Sequence, residues 1–206
     1  KPTRRVSTDL WGEKFIAESL ELAKPWDTLH FDIYPDAFFQ PNPRQAVLLY
    51  QHALNFAEIN KDDIVLDLYR GTGTLGLFTS RKAKQVVGID NVPEAIKSAQ
   101  ENAQKNNCTN AQFYVGDAGQ VLHELKLSPT IAIIDPPRAG LLPEALEQII
   151  AMPLKKLVYI SCNPTTQARD LKLLIASGYQ VKAIQPVDMF PHTYHIENIV
   201  VLSKQG

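Results

Sequence analysis

Two rhythms run through the apolar positions of the chain. From residue 63 onward, short apolar runs alternate with segments whose apolar positions recur every three to four residues. The runs predict strands at Ile64–Tyr69, Gln85–Asp90, Ala111–Val115, Thr130–Ile134 and Lys156–Ser161. The intervening period predicts helices from the Gly-rich turn after Tyr69 to about Lys82, over Val92–Asn106, over Glu144–Ile150, and over Pro164–Ser177, closed by Gly178. Pro93 and Pro164 fall in the first turn of their helices, where a missing N–H costs nothing. Tyr179–Val187 and His195–Leu202 read as a terminal pair of strands. Continuous apolar strands separated by helices imply an α/β fold with a parallel sheet covered on both faces.

Upstream the pattern is mixed. Phe15, Ile16, Ser19, Leu20, Leu22 and Ala23 recur near 3.6 and predict a helix over 13–23, ended by Pro25. Leu29–Tyr34 alternates apolar and polar as a half-buried strand does, and Pro35-Asp36 turns the chain. The spacing of prolines in Phe38-Phe39-Gln40-Pro41-Asn42-Pro43 excludes regular structure. Pro43 then opens a helix to about Ala57, with Ala46, Val47, Leu49, Tyr50, Ala53 and Leu54 on one face.

Composition narrows this little. The 206 residues are 45% hydrophobic and 21% charged with a net charge of −1, as in an ordinary globular chain of one domain or one domain with an extension. No apolar run approaches the ~20 residues that span a bilayer. The opening KPTRRVSTDLWGEK lacks the apolar core of a secretory signal. Two cysteines without a CxxC pair fit a reducing cytoplasm and argue against a structural zinc or iron–sulfur site. Basic clusters at Lys1, Arg4 and Arg5, and at Arg81, Lys82 and Lys84, could meet nucleic acid, but such clusters are more often solvated faces.

The chemistry-bearing positions lie where the strands end. Asp67-x-Tyr69-x-Gly71-x-Gly73-x-Leu75 links a strand to a helix, so its glycines let backbone N–H groups approach a ligand. Asp90 ends the next strand roughly 20 residues later, where an acid can accept from ribose hydroxyls. Gly71 to Gly76 formally matches GxGxxG, a dinucleotide signal that is weak alone. The acid at Asp67 and the Gly116-Asp117-Ala118 turn favour S-adenosylmethionine instead. Asp135-Pro136-Pro137-Arg138 follows the fourth strand, fixing the backbone just past a carboxylate. An arginine in place of the aromatic residue that amino-methyltransferases carry there leaves carbon as a candidate methyl acceptor. Finally, LVYISCNPT (157–165) puts Cys162 at the tip of a buried strand. A cysteine there is either a small residue closing the strand or a nucleophile facing a cleft.

Five motifs in order then carry a resemblance: Phe38-Phe39-Gln40-x-Asn42, Asp67-x-Tyr69-x-Gly71-x-Gly73, Asp135-Pro136-Pro137-Arg138-x-Gly140, Ser161-Cys162-Asn163-Pro164-x-Thr166, and Asp188-Met189-Phe190-Pro191-x-Thr193-x-His195-x-Glu197. Together, over residues 30–206, they resemble the S-adenosylmethionine-dependent RNA uracil-C5 methyltransferases that make 5-methyluridine. The last block and Arg169-Asp170 lean towards the 23S rRNA branch rather than the tRNA branch. The resemblance implies a class I (Rossmann-like) methyltransferase, with a mostly parallel seven-stranded sheet, an antiparallel terminal strand and helices on both faces. It implies S-adenosylmethionine contacts from Gln40, Tyr69, Gly71, Thr74, Asp90, Asp117 and Asp135 and an RNA partner; from run length and ligand spacing, no membrane partner and no metal are expected. Residues 1–34 would be an extension, a remnant of a central or RNA-binding region, before a catalytic domain at 35–206. Two departures stand out: Arg70 replaces the family's cysteine, and this stretch carries neither the RNA-binding barrel nor the iron–sulfur cysteines of many members. The family would also make strands of part of residues 6–34, against the helix at 13–23.

The resemblance implies Cys162 as nucleophile and Glu197 as proton acceptor, and the chemistry explains why such groups are needed. C5 of uracil is a poor nucleophile until a thiolate adds at C6, and a base must then remove the C5 proton before the thiol can leave. Glu197 enters an otherwise apolar strand, where partial desolvation suits a base. His192 and His195 lack further ligands at metal spacing, so His195 is expected to orient the Glu197 loop. Phe38, Phe39, Phe190 or Tyr194 could stack an unstacked base. The competing readings are a non-catalytic RNA- or cofactor-binding fragment, and a dehydrogenase using the GxGxxG match.

Overall fold

A computed structural model describes residues 12–35, 37–69 and 71–204. The turn residue Asp36, the substitution at Arg70 and the basic cluster Lys1, Arg4 and Arg5 lie outside them. The chain runs β1 (Ile16–Glu21), β2 (Thr28–Ile33), α1 (Pro43–Ala57), β3 (Ile64–Leu68), α2 (Thr74–Thr79), β4 (Gln85–Asp90), α3 (Pro93–Lys105), β5 (Ala111–Val115), α4 (Ala118–Leu125), β6 (Ile131–Ile134), α5 (Pro143–Ala151), β7 (Lys156–Ser161), α6 (Pro164–Ala176), β8 (Tyr179–Val187) and β9 (Glu197–Lys204).

The seven-stranded sheet has the order β5-β4-β3-β6-β7-β9-β8. Its neighbours pair in parallel from β5 to β7, and β9 runs antiparallel to both β7 and β8. Successive side chains on a strand point to opposite faces, and the burial divides accordingly. Val65, Val86, Ile131, Ile133, Val158 and Ile160 pack with α1, α2 and α3. Leu66, Val87, Ala132, Ile134, Leu157 and Tyr159 pack with α4, α5 and α6. Covered on both faces, these strands have no polar side to display, which is why they read as continuous apolar runs.

The chain leaves β3 for β4 and β5 on one side and returns to β6 on the other. Strand order therefore reverses between β3 and β6, and a crevice opens beyond their carboxyl ends.

Residues 13–23 correct the sequence reading. They carry a strand, β1, paired antiparallel with β2 from Ile16↔Ile33 to Glu21↔Thr28. Leu20 and Leu22, two residues apart, enter the core beside Trp26, Leu29 and Phe31. A period of two decides the conformation because β2 and α3 offer a partner and a floor, and the 3.6 spacing was coincidental. Two asparagines of the α3 end complete the outer edge of β2. Asn106 accepts from the His30 N–H (2.8 Å) and donates to its carbonyl (2.6 Å), while Asn102 accepts from the Asp32 N–H (2.8 Å). The hairpin thus shares the core of the sheet's α1–α3 face.

Smaller differences have local causes. α4 was not anticipated; Asp117 caps it by accepting from the Gln120 N–H. α2 ends at Thr79 rather than near Lys82, with Ser80, Arg81, Lys82 and Ala83 held in turns onto 76–79 carbonyls. β9 starts at Glu197 rather than His195. Among the described residues, no helix is long and apolar enough to cross a membrane.

Candidate active site

The crevice is a cavity of about 580 Å³ whose lining includes Gln40, Tyr50, Tyr69, Gly71, Thr74, Asp90, Asp135, Arg138, Cys162, Phe190, His195 and Glu197. That volume lies within the usual range for small-molecule sites. Two of its walls come from strand ends and the turns that follow them.

The β3–α2 turn forms one wall. Tyr69 (φ 67°) and Gly73 (φ 73°) adopt left-handed backbone, a conformation costly for a bulky residue such as tyrosine and free for glycine. A Cβ on Gly71 would stand 2.7 Å from the Phe38 carbonyl, and one on Gly73 would stand 2.9 Å from Ala99 Cβ. Asp67 is buried below the turn and accepts from the Gly76 N–H (2.9 Å). It holds the start of α2 in place from beneath. Gly76 itself is a packing position, since a Cβ there would meet that carboxylate at 2.7 Å. At the end of β4, Asp90 accepts from the Val92 N–H (2.9 Å). Burial raises its pKa, opposed by backbone N–H groups including those of Val92, Asn91 and Gly71.

Asp117 is placed differently from the other expected cofactor residues. It is exposed and off the cavity lining, capping α4 and accepting from the Gln148 amide at 2.9 and 3.0 Å. Those contacts lower its pKa. Its charge still reaches Tyr69, whose pKa is raised first by burial and then by Asp117 and Asp90.

The opposite wall joins the segment after β6 to the β7–α6 turn. The Gly140 N–H donates to the Pro137 carbonyl (2.8 Å), closing a tight turn around Arg138. The Arg138 carbonyl accepts from both Asn163 Nδ2 and Thr166 Oγ1 (3.1 Å each), residues on either side of the α6 start. Behind the turn, buried Asp170 accepts from the Leu141 N–H (2.8 Å) and the Tyr159 hydroxyl (2.7 Å), and Arg169 bonds its other oxygen. The Arg169 guanidinium also donates to the Ala139 carbonyl (2.9 Å). The loop bearing Asp135 and Arg138 is therefore fastened to the helix that begins just after Cys162.

Cys162 is half-buried and reduced, as is the fully buried Cys108. Asn163 caps α6 through the Thr165 N–H (3.1 Å) with Pro164 next, so the chain turns sharply at the cysteine. Glu197 arrives by sheet register. Ser161 pairs with Asn198 across β7 and β9, which brings the first residue of β9 beside the residue after β7. Gln167 fixes this junction, donating to the carbonyls of Tyr159 (2.9 Å) and Asn198 (3.2 Å). Glu197 is 4% exposed. Burial pushes the Cys162 thiol pKa up, the Glu197 and Asp135 carboxylates add to this, and the Arg138 guanidinium opposes it. Taken together, these surroundings favour the neutral thiol over the thiolate.

Of the expected residues, Gln40, Tyr69, Gly71, Thr74, Asp90, Asp135, Cys162 and Glu197 meet at one cavity. The His195 ring meets Arg138: Nη2 lies 2.6 Å from Nδ1. Arg138 and His195 were each singled out from sequence but their contact was not, nor was buried Tyr50, which read only as part of an apolar helix face. The cluster at Arg81, Lys82 and Lys84 is outside the lining; Arg81 bonds the Asn106 carbonyl and Lys82 sits over the Trp26 ring. No group of three or more His, Cys, Asp or Glu able to hold a metal occurs among the described residues.

Comparison with known proteins gives this arrangement a context. A family model described as tRNA (Uracil-5-)-methyltransferase matches residues 5–205. A protein of Oceanobacillus iheyensis named as an uncharacterized RNA methyltransferase is 46% identical over 197 residues, 94% of this chain and 42% of that protein. One of the same name from Protochlamydia amoebophila is 44% identical over 210 residues, 98% of this chain and 48% of that protein. This chain thus spans about half the length of these relatives or less. Among solved structures, the Pyrococcus abyssi tRNA (uracil-54, C5)-methyltransferase in complex with S-adenosyl-L-homocysteine superposes with a TM-score of 0.75 at 34% identity, covering 96% of this chain and 48% of that one. An rRNA methylase of Streptococcus thermophilus shares the fold alone, with a TM-score of 0.63 at 15% identity over 79% of this chain and 98% of that one.

Proposed function

The chain belongs to the tRNA (uracil-5-)-methyltransferase family, and from that premise we propose that it methylates C5 of an RNA uridine with S-adenosylmethionine as donor. The carrying observation is that Cys162 and Glu197 meet at the cavity whose other wall is the glycine turn and Asp90. The cavity suits the donor. Gly71 and Gly73 keep side chains out of the turn, leaving its N–H groups approachable, and Asp90 stands where ribose hydroxyls can donate to it. When bound, the cofactor supplies an electrophilic methyl group.

The chain's own groups do the rest. The Cys162 thiol gives up its proton to solvent, to regain one after elimination, and the sulfur adds to C6 of uracil, forming an S–C6 bond and moving the electron pair of C5=C6 into an enolate. C5 is then nucleophilic enough to take the methyl group. Glu197 accepts the remaining C5 proton, the S–C6 bond breaks and C5=C6 is restored. A positioned base of this kind contributes roughly 10²–10⁴ in rate.

The test is incubation with methyl-labelled S-adenosylmethionine and total RNA, followed by mapping of the label. The expected product is 5-methyluridine at a defined position in rRNA or tRNA, the rRNA being the favoured target. It should be lost in Cys162→Ala and replaced by a trapped covalent RNA adduct in Glu197→Gln. Transfer to a base nitrogen, or undiminished transfer by Cys162→Ala, overturns the mechanism.

A further inference from the structure

Tyr194 is 89% exposed, although the loop that carries it is firmly built. The Phe190 carbonyl accepts from both the N–H (3.1 Å) and the hydroxyl (2.7 Å) of Thr193. The Thr193 hydroxyl accepts from the His195 N–H (3.2 Å), and Asn42 at the start of α1 donates to the Met189 carbonyl (3.0 Å). A braced loop therefore holds a large ring in water, forgoing the burial that aromatic residues ordinarily gain.

The ring also adjoins the site. Its centroid lies 4.1 Å from that of His195, whose ring in turn meets the Arg138 guanidinium. His195 and Arg138 line the cavity and Tyr194 does not. A run of flat groups thus passes from solvent to the cavity wall beside Cys162, ending outward in an open aromatic face.

We propose that Tyr194 stacks on the RNA base adjoining the target uridine and so holds the flanking nucleotide at the rim while the target turns inward. This rests on the uridine-methylation reading and adds the part of the substrate that stays outside. The cavity must take the cofactor and one base, so the neighbouring nucleotides remain at its mouth. A base removed from a stack leaves its neighbour with an uncovered face. An exposed aromatic ring covers such a face without regard to sequence. The neighbouring Arg138 adds a cation on the same side.

The experiment uses synthetic RNA spanning the uridine that total-RNA labelling maps, comparing the unaltered chain with Tyr194→Phe and Tyr194→Ala. Stacking of one base predicts a rise in KM of roughly tenfold or more for Tyr194→Ala. The expected pattern also includes near-normal kcat, unchanged S-adenosylhomocysteine affinity, and rescue in Tyr194→Phe, which keeps the ring. RNA with an abasic ribose on one side of the target should make the unaltered chain and Tyr194→Ala nearly equal. An unchanged KM in Tyr194→Ala, or an equal loss in Tyr194→Phe, overturns the stacking role of Tyr194 while leaving uridine methylation standing. Failure of the unaltered chain to label any uridine overturns both.

Discussion

Nη2 of Arg138 lies 2.6 Å from Nδ1 of His195, so the guanidinium beside the Cys162 thiol is held by a residue just before β9. Arg138 is the counterweight to burial, Glu197 and Asp135, all of which raise the thiol pKa. Only the thiolate alkylates. At a fixed pH below the thiol pKa, each unit of upward shift lowers the rate about tenfold. Iodoacetamide should therefore react with Cys162 more slowly at pH 8 than with a free cysteine, and faster as pH rises. Arg138→Met should slow the reaction further, and Glu197→Gln should speed it, each by roughly 3- to 10-fold. Rates measured against pH in the three proteins check this. A faster reaction in Arg138→Met would mean that the guanidinium does not favour the thiolate.

Asp90 and Asp117 were expected to act alike, and their surroundings separate them. Asp90 lines the cavity, whereas Asp117 caps α4 and binds Gln148 outside it. Hydrogen bonds to a charged acceptor contribute about 1.5–3 kcal/mol each. Asp90→Asn should therefore weaken S-adenosylhomocysteine binding by roughly 10- to 100-fold. Asp117→Ala should weaken it less and lose about 1 kcal/mol of stability through the lost cap. Calorimetric titration together with urea melts distinguishes the two.

The sequence was most legible where a residue's surroundings follow from its neighbours in the chain. Gln85–Asp90, Lys156–Ser161 and Tyr179–Val187 match their strands end for end, since a strand buried on both faces, as the first two are, must be apolar throughout. Tyr69, Asp90, Asp135 and Cys162 drew attention because ligand sites in open α/β folds collect at strand ends, whereas Gln40 and Glu197 entered only through the motif resemblance. What escaped was tertiary. The Arg138–His195 contact joins residues brought together by the reversal of β9. Nothing local to Tyr159 or Asp170 announces their bond. Asn102 and Asn106 read as ordinary helix residues, yet they supply the edge partner that makes β2 and its neighbour β1 strands.

Asp170 is the pin between the Arg138 loop and α6. It is buried and accepts from Leu141, Tyr159 and Arg169. Tyr159→Phe removes one of these bonds and should cost about 1–2 kcal/mol. Asp170→Ala strands the Tyr159 hydroxyl and the Leu141 N–H and removes the partner of Arg169. The loss should be about 2–5 kcal/mol, mostly from the two buried donors left unpaired, since Arg169 is itself half exposed. Urea denaturation gives both values. Equal costs for the two substitutions would mean that Leu141 and Arg169 gain nothing from the carboxylate.

The hairpin offers the last prediction, because the same asparagines that make it a strand pair should control its local opening. Asn106 bonds both the N–H and the carbonyl of His30, and its side chain also reaches the Asn102 carbonyl. Asn106→Ala returns the His30 groups to solvent competition, costing about 1–2 kcal/mol. Leu20, Leu22, Trp26, Leu29 and Phe31 still anchor the hairpin in the core, so the fold should persist. The effect should concentrate at the edge. Amide hydrogens of β1 and β2 should exchange faster in Asn106→Ala while those of β3, β6 and β7 keep their protection, as expected for a unit that opens below the global free energy. Uniform acceleration across the sheet would instead make the hairpin part of one cooperative unit with the crevice. In that case the residues before α1 would contribute directly to holding Gln40 and the Gly71 turn in place.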